Sequence, residues 1–195
     1  MFTQDVYQQI YLERIQRVDS SIKNTLQKSA IPDEQKRLLL DAVSGGRRFR
    51  PLLVFLGCEL CNSSWKEALD VAIALEFLHK ASLLHDDLQD RDMFRRGKPS
   101  FWKEHGEALA IAVGDTLVAM SLMILSKSTH PNKAKLLESF METFFDLSVG
   151  QCSDLLFEEQ DFVTPEEIYD SIEKKTGSLT ATALFVGGLC TNAPS

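Results

Sequence analysis

Residues 68–90 read ALDVAIALEFLHKASLLHDDLQD. Up to Leu84 this stretch is too apolar for a helix that lies free on a protein surface, which predicts a helix buried in the core. Its end carries Asp86, Asp87 and Asp90, and helical steps of three and four residues place such carboxylates on one face, a turn apart. A core helix that ends in carboxylates indicates that this end faces a cavity.

The three aspartates have the chemistry of a magnesium site. Like charges this close repel one another, and Mg²⁺ relieves the repulsion because it takes a few carboxylate oxygens and leaves positions for substrate phosphate. Arg95 and Arg96, a few residues further on, supply planar donors that suit the same phosphates. The alternative is a solvated acidic helix face, which is the commoner origin of such a run. The apolar sequence before the aspartates favours the diphosphate site.

Length and composition predict one globular domain over residues 1–195. The chain has 44% apolar and 25% charged residues, which is ordinary for such a domain. Its net charge of −7 argues against a general nucleic-acid binder, whose affinity rests on a basic surface. No apolar run approaches the roughly 20 residues that span a bilayer. The N-terminus has no signal-peptide block, so we expect a cytoplasmic protein without a transmembrane segment.

The chain is predicted to be all-α. Its β-branched runs are short, and the sequence has no stretch of sustained apolar and polar alternation. The segment Thr164-Pro165-Glu166-Glu167 is a helix start, with an N-cap Thr, Pro at the first helical position and Glu at the capping-box position. We expect helices over about 5–28, 33–43, 50–61, 65–92, 105–127, 133–159 and 165–190.

Two smaller motifs are predicted to be structural. Cys58 and Cys61 form a CxxC, but no second Cys or His pair at ligand spacing accompanies them, which disfavours zinc or redox chemistry. They are expected to be reduced and to pack as small residues of a helix. Gly114 and Asp115 are expected to be a packing glycine beside a buried, hydrogen-bonded acid.

The segment Gly45-Gly46-Arg47-Arg48-Phe49-Arg50-Pro51, between two predicted helices, indicates an anion site. Its glycines allow close backbone approaches and expose N–H groups to an anion. Its three arginines within four residues are expected to act as a phosphate clamp. The alternative is a basic helix N-terminus that is only solvated.

Four segments follow one another along the chain: GGRRFRP (45–51), LHDDLQD (84–90, preceded by His79), RRGKP (95–99) and KTG (175–177). In their order and approximate spacing they resemble the motifs of the trans-isoprenyl diphosphate synthases, over about residues 35–190. The resemblance implies an all-α, isoprenoid-synthase-type bundle around a central cavity, usually a homodimer. It also implies Mg²⁺-dependent, head-to-tail transfer of an allylic prenyl diphosphate to isopentenyl diphosphate.

The resemblance also implies roles for single residues. The Mg²⁺ ligands would be Asp86, Asp87 and Asp90. The residues beside the allylic diphosphate would be Arg95, Lys175 and Thr176. Gln151 and Asp154 would lie on a further helix that faces the same cavity. The isopentenyl diphosphate site would comprise Gly46, Arg47, Arg50, His79 and Arg96. Taken alone, Lys175 is more simply a cation that stabilises a helix end, and His79 is as readily a core histidine as a ligand. Only the joint pattern favours binding for both.

The chain departs from the family pattern in one respect. By resemblance, the family continues well beyond this length and carries a second aspartate-rich motif, whereas this sequence contains a single DDxxD. We therefore expect residues 1–195 to be the N-terminal two-thirds of the domain, with half of the metal site. A missing wall would expose apolar helix faces, which favours oligomerisation or a partner subunit.

The helix before Asp86 also carries a prediction about product length. Ser82 and Ala81, four and five positions earlier, are small, so a growing prenyl chain is expected to pass them. A helical turn rises about 5.4 Å, close to one isoprene unit, and Phe77 and Leu78 would form the floor one turn further on. We expect geranylgeranyl or longer products, and shorter ones after Ala81→Phe.

Two other functions are compatible with the sequence. A relative that ionises a prenyl diphosphate without using isopentenyl diphosphate, such as a terpene synthase, is disfavoured by the intact isopentenyl-site motifs. The absence of a second aspartate-rich motif from this sequence favours a non-catalytic subunit of a full-length synthase. The intact first motif argues against it, because a non-catalytic subunit has no need of metal ligands. Binding without turnover would identify the second.

Overall fold

The computed structural model describes residues 4–191 and is built almost entirely from α-helices, which confirms the predicted fold class. Most helix ends lie within a few residues of the predicted ones. The elements in chain order are α1 (Gln4–Lys28), α2 (Asp33–Val43), α3 (Phe49–Leu60), a 3₁₀ turn (Trp65–Ala68), α4 (Leu69–Gln89), β1 (Phe94–Arg95), β2 (Lys98–Pro99), α5 (Phe101–His105), α6 (Glu107–Ser126), α7 (Lys133–Phe157), α8 (Pro165–Ile172), a π-turn (Glu173–Gly177) and α9 (Ser178–Leu189).

Helix α4 is the centre of the core, as its sequence predicts. Every residue from Val71 to Leu78 is buried, and the helix packs along α6 and against α3, with α1 and α2 beside it. Each large apolar side chain buried in this way contributes about 1.5–3 kcal/mol. This packing fixes the C-terminal end of α4, and with it the aspartates.

A short hairpin, β1 with β2, follows α4 where the sequence indicated only a break. Its turn residues Arg96 and Gly97 have φ values of 55° and 78°. Positive φ at both positions is the type I′ geometry that matches the twist of paired strands. Strands of two residues are too short to show alternation, so the sequence does not reveal them. The hairpin holds two arginines beside α4.

The chain enters α8 through the predicted capping box. The Glu167 N–H donates to Thr164 Oγ1 at 3.3 Å, and the Glu167 carboxylate accepts from the Thr164 N–H at 2.8 Å. Helix α8 then runs into a π-turn that carries Lys175 and Thr176. Such turns occur often at functional sites, because the extra residue in the helical ladder redirects side chains.

Helices α3 and α9 cross at close range because glycines lie at the contact. A Cβ atom on Gly57 would lie 2.1 Å from the carbonyl oxygen of Leu184, and one on Gly187 would lie 2.1 Å from that of Val54. Backbone atoms in packed helices cannot move aside easily, so these positions have no room for a side chain.

Helix α6 corrects two expectations from the sequence. An 18-residue window within its 20 residues has a mean hydropathy of 2.1, so by length and composition it is apolar enough to cross a membrane. It packs along α4 with 39% of that window buried, and apolar core helices meet the same criterion. Gly114 is the predicted packing glycine, since the His85 ring occupies the place of its Cβ. Asp115, expected to be buried, is 70% exposed, because the next residue of a helix points about 100° away.

The four cysteines lie within the described residues and form no disulfide. Cys58 and Cys190 are buried, and burial raises the pKa of their thiols to about 11 and about 12. Cys61 and Cys152 are exposed. Cys58 is thus a packed core thiol, as predicted, whereas Cys61 lies just past the end of α3.

The glycines of α9 provide a matched test of the helix crossing. Gly187→Ala should lower the free energy of unfolding by about 1–3 kcal/mol, because its Cβ would collide with the α3 backbone. Gly188→Ala, whose nearest neighbour would be Cys61 Sγ at 3.5 Å, should be neutral or stabilising by up to about 1 kcal/mol. Urea unfolding of both variants measures the difference, and equal effects would contradict the described crossing.

Candidate active site

Basic side chains from four segments of the chain converge on one cavity of about 310 Å³, which we call the anion pocket. The loop before α3, the first turn of α3, helix α4 and the hairpin turn all contribute. The charged and backbone groups that line it belong to Gly46, Arg47, Arg48, Arg50, Glu76, His79, Lys80 and Arg96. The structure therefore brings together the five residues that the sequence motifs assign to one diphosphate, and adds Lys80.

Arg48 does not belong to the predicted three-arginine clamp. Its side chain is 5% exposed, and Nη1 donates to Glu76 at 2.6 Å while Nε donates to Asp19 at 2.8 Å. Nη2 donates to the Val43 carbonyl at 2.9 Å. These partners neutralise the charge of Arg48 inside the core, so the clamp consists of its neighbours Arg47 and Arg50.

His79 serves as a neutral hydrogen-bonding group. Arg50 Nη1 lies 3.0 Å from His79 Nε2, and since a guanidinium can only donate, Nε2 accepts and the ring proton lies on Nδ1. Burial, followed by the charge of Arg50, lowers the pKa of His79 to about 2. Before an anion binds, His79 is therefore neutral, and its single ring N–H is on Nδ1.

A second cavity of about 250 Å³, which we call the aspartate cavity, lies between α4, α7 and the π-turn. Arg50 and His79 line both cavities, so the two adjoin. Apolar side chains of α7 and α9, Phe144, Leu147 and Leu179, form part of its wall. Its polar lining includes Asp86, Gln89, Gln151, Lys175 and Thr176.

Asp86 and Gln151 line this cavity, and Asp90 adjoins it through a hydrogen bond from Gln151. Gln151 Nε2 donates to Asp90 at 2.8 Å, while Gln151 Oε1 is buried and has no hydrogen-bond partner among residues 4–191. An unsatisfied buried acceptor costs about 1–3 kcal/mol, so a hydrogen-bond donor at this oxygen would be stabilising. A water molecule bound to a metal ion would be such a donor. Burial raises the pKa of Asp86 to about 6, with Lys175 opposing the rise and Asp90 adding to it. Hard oxygen donors whose charges need neutralising fit Mg²⁺.

Asp87 is placed differently from its two neighbours. It is 3% exposed, and its carboxylate accepts from Arg95 Nε at 2.6 and 2.7 Å. This hydrogen bond raises the pKa of Arg95. The pair lines a third cavity, beyond the anion pocket, rather than the aspartate cavity. Asp87 thus fixes Arg95, and neither residue is among those that line the aspartate cavity.

Lys175 is held at the aspartate cavity by a carboxylate of α7. Its Nζ donates to Asp154 at 2.6 Å, and the Ser171 hydroxyl donates to the other oxygen of that carboxylate. The absence of a side chain at Gly150 leaves room for the lysine stem. The pKa of Lys175 is raised: burial opposes the charge, but the bond to Asp154 and the nearby Asp86 outweigh it.

The residues predicted to set product length lie at two different places. Ser82 lines the aspartate cavity. Ala81, Leu78 and Phe77 are buried in the core and are not among the residues that line this cavity. The reason is helical geometry: the cavity-facing residues His79, Ser82 and Asp86 follow steps of three and four, and Ala81 is not on that face. The prediction for Ala81 is therefore revised in favour of Ser82.

Two site residues were missed by the sequence analysis. Glu76 and Lys80 are one turn apart in α4 and both are buried, Glu76 against Arg48 and Lys80 at the anion pocket. The sequence did indicate them, because both are charged residues within an apolar core helix, and such residues are rarely buried without a specific partner.

Comparison with known proteins identifies the family. The family model described as polyprenyl synthetase matches residues 33–195. The chain belongs to the polyprenyl synthetase family. The resemblance seen in the sequence motifs is thereby confirmed.

Individual members of the family are similar over most of this chain. It is 38% identical over 181 residues to a geranylgeranyl diphosphate synthase of Methanosarcina mazei, covering 90% of this chain and 55% of that protein. A geranylfarnesyl diphosphate synthase of the same organism is 33% identical over 175 residues, covering 90% and 58%. The solved geranylgeranyl pyrophosphate synthetase of the archaeon Geoglobus acetivorans superposes with a TM-score of 0.87 at 30% identity, covering 95% and 61%. The chain thus spans little more than half the length of the curated relatives it matches.

Proposed function

We propose that this chain carries the diphosphate-binding sites of a Mg²⁺-dependent prenyltransferase that joins isopentenyl diphosphate head-to-tail to an allylic prenyl diphosphate. The observation that carries the proposal is the pair of adjoining cavities that share His79 and Arg50: one is lined mainly by cations, and the other contains the carboxylate of Asp86 together with Lys175. Family membership supports the same class of reaction. A cytoplasmic location and a homodimer belong to the proposal as predictions.

The aspartate cavity is proposed to hold the allylic diphosphate. Mg²⁺ bound by Asp86 and Asp90 would neutralise the diphosphate as it leaves. Lys175, oriented by Asp154, adds a positive charge to the same leaving group, and Gln151 orients Asp90. The Thr176 hydroxyl, on the same π-turn, is the remaining donor at this site. The roles of Asp154 and Gln151 rest on their hydrogen bonds to Lys175 and Asp90.

The anion pocket is proposed to hold isopentenyl diphosphate. Arg47, Arg50 and Arg96 supply charge-assisted hydrogen bonds to its phosphates, and the backbone of Gly46 allows close approach. His79 donates from Nδ1 without adding charge. The pocket adjoins the aspartate cavity, so the double bond of this substrate can reach the allylic carbon. Apolar side chains such as Phe144 and Leu147 keep water from the allylic cation.

One observation favours a second candidate, a subunit that binds prenyl diphosphates and works with a further protein. Helices α7 and α9 expose large apolar side chains, including Phe145 at 67% and Phe185 at 57%. Apolar groups gathered on a surface mark interfaces. This candidate predicts binding of both substrates without turnover by the chain alone.

The direct test is an assay with farnesyl diphosphate, labelled isopentenyl diphosphate and Mg²⁺, with products resolved by length. Wild type should extend the substrate, and removal of Mg²⁺ by a chelator should abolish extension. Asp86→Asn should lower kcat at least about 100-fold, whereas Asp87→Asn, which loosens Arg95, should cost about tenfold. The exposed Asp70→Asn, at the opposite end of α4, serves as the control and should match wild type.

Two results would contradict parts of this proposal. Extension that persists without Mg²⁺, or an Asp86→Asn variant as active as wild type, would remove the metal site from the mechanism. If the wild-type chain binds both substrates tightly but extends neither, the result would support the second candidate, a subunit that works with a further protein, and contradict an enzyme that acts alone.

Product length is proposed to be geranylgeranyl or longer, because the small side chain of Ser82 leaves room at the wall of the aspartate cavity. Ser82→Phe should shorten the longest product by at least one isoprene unit, because the ring fills the wall of the aspartate cavity. Ala81→Phe, at a completely buried position, should mainly destabilise the fold by overpacking. The product distribution and the unfolding midpoint of both variants check this, and unchanged products of Ser82→Phe would refute it.

A further inference from the structure

Lys80 is a buried cation to which the proposed function assigns no role. It projects from α4, is 8% exposed, and lines the anion pocket. Its Nζ donates to the carbonyl oxygens of Ser44 at 2.7 Å and Gly45 at 3.2 Å. Lys80 therefore ties the glycine loop to the core helix.

The ammonium of Lys80 has no carboxylate partner within 4.0 Å among the residues that the structure describes. The nearest acid on its own helix, Glu76, is engaged by Arg48. Burial lowers the pKa of Lys80 to about 8; Glu76 opposes this, and Arg48, Arg96 and Arg95 add to it. A lysine that is costly to keep charged, among other cations, is the arrangement expected where an anion binds.

The position of Nζ points to that anion. The point where a Cβ on Gly46 would lie is 3.7 Å from Lys80 Nζ and 3.2 Å from Arg96 Nη1, so both cations flank the same backbone. An ammonium has three N–H donors, and the two carbonyls of the loop use two of them. The third is left for the cavity.

We propose that Lys80 is a further diphosphate-binding residue, which fixes the Gly45-Gly46 loop with two of its N–H groups and donates the third to the diphosphate held by Arg47, Arg50 and Arg96. The inference rests on the proposed function of the anion pocket. The simpler alternative is a lysine that only pins the loop. The two differ in what happens when the lysine loses its proton, because a residue in direct contact with the anion then loses an ion pair, whereas a charge that acts from a distance changes the affinity far less.

The sign of the pH effect follows from linkage. Below about pH 8 the lysine of the free protein is charged, and diphosphate affinity is at its full value. Above that pH the proton must be taken up on binding, so affinity falls with rising pH, by up to tenfold per pH unit. The charged groups that face Lys80 are Glu76, Arg48, Arg95 and Arg96, and Lys80 shares its cavities with Arg50, His79 and Asp87.

Calorimetric titration without Mg²⁺ tests the proposal, with inorganic diphosphate and isopentenyl diphosphate as separate probes between about pH 7 and about pH 9.5. Lys80→Met should weaken binding at least about tenfold at neutral pH. Lys80→Arg should keep most of the neutral-pH affinity and lose the alkaline decline, because a guanidinium does not titrate there. The exposed Lys127→Met is the control and should behave as wild type.

The ratio of wild-type to Lys80→Arg affinity at each pH cancels the titration of the ligand itself. A ratio that falls above about pH 8 supports the proposal, and a constant ratio overturns it, even if Lys80→Met proves too unstable to study. If the wild-type protein binds neither probe at neutral pH, the function proposed for the anion pocket is wrong. Binding that Lys80→Met leaves unchanged would overturn the role of Lys80 alone.

Discussion

The position of the anion pocket depends on one constraint, the buried ion pair between Arg48 and Glu76. Arg48 has a φ of 51°, in the left-handed region, and its guanidinium joins Glu76 of α4, Asp19 of α1 and the Val43 carbonyl at the end of α2. Removing one partner from a buried pair costs about 3–5 kcal/mol, because the other charge is left unpaired. The pair therefore fixes the entry into α3, and with it the loop that carries Gly46.

This internal neutralisation decides which cations remain for substrate. Arg48 is satisfied by Glu76 and Arg95 by Asp87, so the anion pocket draws its charge from Arg47, Arg50 and Arg96, together with Lys80. The carboxylates Asp86 and Asp90 are left for a metal. Helix α4 thus carries a cationic segment and an anionic segment about 10 Å apart, at a rise of about 1.5 Å per residue. Both segments are rigid because the body of the helix is buried.

Much of this arrangement was readable from the sequence, and the failures have physical causes. The core helix, the glycine breaks and the capping box at Thr164 have local signals, and each is present in the structure. The burial of Arg48 has no local signal, since adjacent arginines are chemically identical and only the tertiary fold selects which one meets Glu76. The choice of Ser82 over Ala81 was within reach of helical periodicity, whereas the π-turn that positions Lys175 was not.

The central claim is that one helix serves two diphosphate sites of different chemistry, one using arginines and one using a metal. The most direct measurement is the affinity of the wild-type chain for isopentenyl diphosphate and for a non-reactive allylic diphosphate analogue, each with Mg²⁺ and with a chelator. The account predicts that isopentenyl diphosphate binding changes less than about twofold when Mg²⁺ is removed, while the allylic analogue loses at least about tenfold. Equal dependence of both ligands on Mg²⁺, or dependence of neither, would contradict it.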